Sequence, residues 1–148
     1  MSRNQITVGT DPHAAFDVLD DAYAYPRWVL GTRRIRAVDP AWPAVGSRFH
    51  HAIGTVAGEL HDSTKVLARD RPRRLLLEVR FRPTGVAEVE VTLEPMDDGT
   101  RVTLEETPSD GPLALLPRWI TNPALSLRNA LSLQRFRHEV ERRSSLVP

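Results

Sequence analysis

Ala87-Glu88-Val89-Glu90-Val91-Thr92-Leu93-Glu94 is the stretch that decides the fold. Apolar and polar residues alternate without a break, the period of a strand with one face buried and the other wet. Asp97-Asp98-Gly99 follows, a strong hairpin signal. The chain then alternates again, with Val102, Leu104 and Glu106 on one face of a last strand. Two adjacent strands joined by a tight turn make an antiparallel pair, and neighbouring segments repeat the pattern.

Upstream, Leu75, Leu77, Val79 and Phe81 share a strand face, and Pro83-Thr84-Gly85 turns it. Glu59 to Ala68 reads as a strand after a turn bracketed by Gly54 and Gly58. Arg48 to Ile53 alternates with Phe49, His51 and Ile53 on one side, and Arg33 to Val38 is a further strand. Asp39 to Gly46 is a proline-containing loop. Before these, Asp11-Pro12 reads as an N-cap with proline in the first helical position, opening a helix to about Asp20. Tyr25-Pro26-Arg27-Trp28 forms a short helix or turn that stops at Gly31. Gln5 to Val8 opens the chain as a strand.

Downstream, Thr107 to Pro123 is rich in proline and leucine and reads as a connection, with a helical turn around Leu115 to Ile120. From Ala124 to about Arg143 the period is helical, and Leu125, Asn129, Ser132, Leu133, Phe136 and Val140 form one stripe. Helices segregated from a meandering antiparallel sheet give an α+β fold. The expectation is about seven strands wrapped around a long C-terminal helix, in one domain over residues 1–143. Ser144 to Pro148 reads as a tail.

The chain has 148 residues, 41% apolar and 26% charged, which is ordinary globular composition. It contains no cysteine, so thiol catalysis, disulfides and thiolate metal sites are excluded together, and a reducing cytoplasm fits. No apolar run reaches the roughly 18 residues of a membrane span or follows Met1 as a signal peptide would. The formal net charge of +1 gives nucleic-acid binding no bulk electrostatic support. The five histidines lack metal-ligand spacing, since His50 and His51 point to opposite sides of a strand, and no metal is expected. No nucleophile elbow, phosphate loop or dinucleotide fingerprint is present, so no cofactor is implied. Arg69, Arg71, Arg73 and Arg74 read as a solvated hairpin tip.

Four stretches resemble one family in order and spacing. They are Asp11-Pro12 with Phe16-Asp17-Val18-Leu19, Tyr25-Pro26-Arg27-Trp28 with Gly31, Gly46-Ser47-Arg48-Phe49, and Gly99-Thr100-Arg101-Val102-Thr103-Leu104-Glu105. The sequence resembles the polyketide cyclase/dehydrase and lipid-transport superfamily, also called START-like, SRPBCC or birch-pollen-allergen-like. The resemblance runs from Asp11 to about Arg143 and implies a helix-grip fold with an internal cavity. Its members range from passive binders of lipids or hormones to cyclases, dehydratases and protein partners, so the fold does not fix the chemistry.

Glu106 is the first candidate for chemistry, because its parity with Val102 and Leu104 points it inward. An isolated carboxyl in an apolar cavity favours its neutral form, which could act as a general acid or hold a ligand hydroxyl. The alternative is a wet rim position past the end of the strand. His51, on the face of Phe49 and Ile53, could supply a base, or could simply pack in the core. Asn129 interrupts the apolar stripe of the long helix and needs a partner, whether ligand or neighbour. Asp62 faces inward if its strand keeps parity with Leu60 and Val66. Tyr25, Trp28, Phe49 and Phe81 are candidates to line the cavity, with Leu133 and Phe136 from the helix. Trp119 sits in the connection, where it could act as a lid.

Three functions compete. One is binding of a small hydrophobic, aromatic or polyketide-like metabolite. Another is a cyclase or dehydratase in which Glu106 and His51 exchange protons with substrate. The last is a protein-interaction module, with Leu127 and Leu131, off the helical stripe, serving a partner or a homodimer.

Overall fold

Seven antiparallel strands form a single sheet in the order β1-β7-β6-β5-β4-β3-β2 in a computed structural model of the chain, which describes residues 1–145. The strands are β1 (Ser2–Val8), β2 (Thr32–Val38), β3 (Arg48–Thr55), β4 (Gly58–Asp70), β5 (Arg74–Phe81), β6 (Gly85–Met96) and β7 (Gly99–Asp110). Two helices, α1 (Pro12–Asp20) and α2 (Tyr25–Trp28), lie between β1 and β2. After β7 come a single turn, α3 (Pro112–Leu115), and the long α4 (Arg118–Ser145). This is the expected α+β helix-grip arrangement.

The alternation read in the sequence sets the register. Val89, Val91 and Leu93 of β6 stand opposite Glu106, Leu104 and Val102 of β7. Shifts in register at Val66/Ala68 and Val86/Ala87, and twice between β2 and β3, are bulges of the kind that bend a sheet. The concave face so formed carries the core. At the β6–β7 hairpin, Gly99 has φ +146°, and a Cβ there would lie 2.0 Å from the Val8 carbonyl oxygen. Only glycine lets the end of β1 pass over the turn.

Asp11 caps α1, accepting from the Ala14 N–H at 2.9 Å. Half-buried Arg69 and exposed Arg71 both bind Asp20 of α1, and Arg71 also binds Asp17. The arginine cluster does lie at the β4–β5 hairpin with Arg71 and Arg73 exposed, and two of its members also clamp α1 onto that hairpin.

α4 buries Asn129, Ser132, Leu133, Phe136 and Val140, the phase expected from the stripe, while Leu125 is half-buried. Leu127 and Leu131 are exposed. The helix starts at Arg118 rather than near Ala124. Pro123, which the sequence places in a connection, lies inside the helix; it costs the helix one backbone bond, and the turn ahead of it is closed by the Ile120 and Thr121 N–H groups on the Pro117 carbonyl. Ser144 and Ser145 are helical, not tail, and the remainder of the expected tail, 146–148, lies outside the described residues. Among the described residues no helix is long and apolar enough to cross a membrane.

Candidate functional site

A cavity of about 400 Å³ lies between the concave sheet face and the helices. That is within the usual range for a small-molecule site. β3 contributes Phe49, His51 and Ile53 to its wall, and β5 contributes Leu77, Val79 and Phe81. Val89 and Leu104 come from β6 and β7, Tyr25 and Trp28 from α2, and Leu113 from α3. The period-two alternation puts these residues on one side of each strand, so the wall is mostly apolar by construction. An aromatic group closes one end. The Tyr25 ring lies 5.1 Å from Trp28 and 4.7 Å from Phe49, centre to centre. The Tyr25 hydroxyl donates to the Leu19 carbonyl at 2.8 Å, and burial pushes the phenol up from its ordinary value, so it stays neutral.

The polar part of the wall is built where β7, β1 and α4 meet. Glu106 faces inward as its parity requires and is 3% exposed. It is not isolated. Its Oε1 accepts from Arg128 Nη2 at 2.6 Å and from Asn129 Nδ2 at 3.0 Å. Asn129 Nδ2 also donates to Ser2 Oγ at 3.0 Å, and Ser2 is the cross-strand neighbour of Glu106. The buried carboxylate thus has the pairing that burial demands. Arg128 was missed in the sequence. It lies beside the stripe of α4, and only the crossing of α4 over β7 brings its guanidinium to Glu106. Two buried donors on wall residues, Trp28 Nε1 and Arg128 Nε, have no hydrogen-bond partner among the described residues.

His51 is buried in the wall with both nitrogens engaged. Nε2 lies 2.8 Å from the Arg80 carbonyl oxygen, which can only accept, so Nε2 carries the proton. Nδ1 then accepts from the Thr64 hydroxyl at 3.0 Å. Burial holds the imidazole below its ordinary value, which outweighs the bond to Arg80 and the nearby Asp62 charge. His51 is therefore a neutral ring fixed between β4 and β5.

Four other expected residues stand apart from the cavity wall. Asp62 keeps the expected parity and is buried, but its carboxylate accepts from the Arg82 backbone N–H at 3.0 Å, the Arg82 guanidinium at 3.1 Å and the Ser63 N–H at 2.9 Å. Its task is to hold the β5–β6 turn. Leu133 and Phe136 lie behind the wall as core, with Phe136 edge-on to Trp28 at 5.1 Å. Trp119 is 78% exposed and is no lid, because the early start of α4 carries it outward. Ser132, in contrast, lines the cavity and accepts from the Leu30 N–H at 3.0 Å, tying the turn after α2 to α4.

The polyketide cyclase / dehydrase and lipid transport family matches residues 2–142, and the chain belongs to it. No curated protein matches. Among solved structures, protein CV1439 from Chromobacterium violaceum superposes with a TM-score of 0.70 at 18% identity, covering 94% of this chain and 96% of its own. Ara h 8.0201 superposes with a TM-score of 0.72 at 15% identity, with 93% and 95% covered. The di-domain ARO/CYC StfQ from the steffimycin biosynthetic pathway gives 0.72 at 13% identity, covering 97% of this chain and 51% of that one. At these identities the likeness is one of fold.

Proposed function

We propose that this member of the family binds a small, mostly apolar molecule in the cavity. The observation that carries the reading is the apolar wall with one polar corner. The mostly apolar lining and the volume of about 400 Å³ suit a hydrophobic body of small-molecule size. Both protein donors to Glu106 converge on Oε1, which leaves Oε2 to accept a ligand hydroxyl.

The cyclase or dehydratase reading requires Glu106 and His51 to exchange protons with substrate. Two features argue against it. Glu106 already holds an arginine and an amide, and both His51 nitrogens are occupied within the protein. His51 must therefore break a buried bond before it can transfer a proton, which leaves Glu106 Oε2 without the second proton-exchanging group that this reading requires. Binding without proton transfer is the function best supported by the geometry.

Native mass spectrometry of freshly purified protein, alongside a cavity-filled Val79→Phe/Val89→Phe variant, tests the reading. The wild type should carry a small molecule that the filled variant lacks. A bound molecule of equal occupancy in both would place the ligand elsewhere and contradict it.

A further inference from the structure

From Gly111 to His138 the chain carries Arg118, Arg128, Arg135 and Arg137 and not one aspartate or glutamate, while the rest of the chain holds the excess of acid. The same stretch holds most of the exposed large apolar side chains. Leu115 is 86% exposed and Trp119 78%, with Leu116, Ile120, Leu127 and Leu131 also outward. Along α4, Ile120, Ala124, Leu127 and Leu131 recur at helical spacing on the face opposite buried Asn129 and Phe136. That stripe is roughly 17 Å long at 1.5 Å per residue. Arg128 is engaged by Glu106, but Arg118, Arg135 and Arg137 make no ion pair among the described residues. An exposed apolar stripe with free arginines to either side of its C-terminal end, Arg135 and Arg137, and another at the start of the helix, Arg118, is the composition of a helix that lies in a membrane interface.

We propose that α3 and the first half of α4 dock on an anionic lipid surface. Leu115, Trp119, Ile120 and Leu127 enter the boundary between headgroups and acyl chains, and the free arginines meet the headgroup phosphates. Charge selects this occupant over a second copy of the chain. In a two-fold dimer through this face each arginine-rich patch would meet its own duplicate, with no carboxylate in the stretch to neutralise it. A lipid surface supplies the missing negative charge, and the acidic remainder of the protein orients the patch toward it. Docking would set α3 on the surface, and Leu113 of α3 is also part of the cavity wall. The inference goes beyond the cavity reading and does not depend on which molecule the cavity holds.

The test is co-sedimentation of the full chain with vesicles of phosphatidylcholine alone and of phosphatidylcholine mixed with phosphatidylglycerol, with tryptophan fluorescence in parallel. Trp119 is the most exposed of the three tryptophans. Binding should occur on the mixed vesicles, shift the fluorescence to the blue, and weaken as salt is raised. Each arginine near such a surface contributes about fivefold, so R118Q/R135Q/R137Q should lose on the order of a hundredfold in affinity. Trp119→Glu should lose binding while circular dichroism shows an unchanged fold. Equal binding to both vesicle types, or binding to neither, overturns the proposal. So does a stable dimer in sedimentation velocity that Leu127→Glu dissociates, since the face would then be an interface between copies.

Discussion

Arg128 Nη2 donates to Glu106 Oε1 at 2.6 Å, joining the long C-terminal helix to the last strand across the wall of the cavity. The carboxylate is 3% exposed at its side chain and the arginine 41%. The pair thus closes the cavity from the inside while its cation reaches water. Removing the negative partner leaves a half-buried guanidinium whose Nε already lacks a hydrogen-bond partner.

Glu106→Gln should therefore destabilise the protein at neutral pH, by about 1–3 kcal/mol. That is less than a fully buried pair would lose, because Arg128 is partly solvated. Glu105→Gln, on the outer side of the same strand and only weakly paired with Arg3, should change stability by no more than about 0.5 kcal/mol. Urea denaturation of the two variants side by side measures the contrast. A stabilised Glu106→Gln would show that the carboxyl is held neutral and that the ion pair does not form.

Phe136 is fully buried, edge-on to Trp28, and anchors α4 to α2 behind the cavity wall. Phe136→Ala should cost about 3–5 kcal/mol. The denaturation midpoint should fall with an unchanged slope, since the extent of the folded core is the same. A loss under about 1 kcal/mol would mean that α4 does not pack in this phase.

Gly99→Ala tests the crossing of β1 over the β6–β7 hairpin. The added Cβ would sit 2.0 Å from a backbone oxygen that cannot rotate away, on a backbone with φ +146°. The expected cost is about 2–4 kcal/mol, from strain and overpacking together. Thermal unfolding of the variant reads it directly.

His51 gives a pH dependence of known sign. Burial lowers its folded value below the ordinary 6.5. Between the two values the unfolded chain binds a proton that the folded one refuses. Its contribution is thus fully present above about pH 6.5 and is lost as pH falls toward the folded value. The Asp62 carboxyl is pushed up by burial, but the bonds from Arg82 and Ser63 outweigh this and hold it low. Its contribution is present above the ordinary 3.8 and lost at lower pH still. His51→Gln can keep one acceptor and one donor for Thr64 and Arg80. Urea midpoints at pH 7.5 and 5.5 should differ less in this variant than in the wild type. An equal difference would show that His51 does not govern that window.

The strands were legible because each has one wet face. The alternation from Ala87 to Glu94 gives β6 its register, and the parity of Val102 and Leu104 correctly turns Glu106 inward. The phase of α4 was legible from the same kind of pattern. What the sequence hid depends on contacts between distant elements. Nothing near Glu106 in the chain announces Arg128, and the occupancy of both His51 nitrogens requires a hydroxyl from β4 and a carbonyl from β5. Trp119 was misplaced because Pro123 reads as a break, although a helix can carry a proline near its start. Asp62 has the right parity for the cavity, yet Arg82 claims its carboxylate.

If the cavity is a binding site for an apolar molecule, it should take up the neutral fluorescent probe N-phenyl-1-naphthylamine in a titration. Binding should saturate at one probe per chain. It should be lost in Val79→Phe/Val89→Phe, whose new rings fill the cavity, with circular dichroism showing that the variant is folded. Binding that does not saturate, or that persists undiminished in the filled variant, would contradict the account.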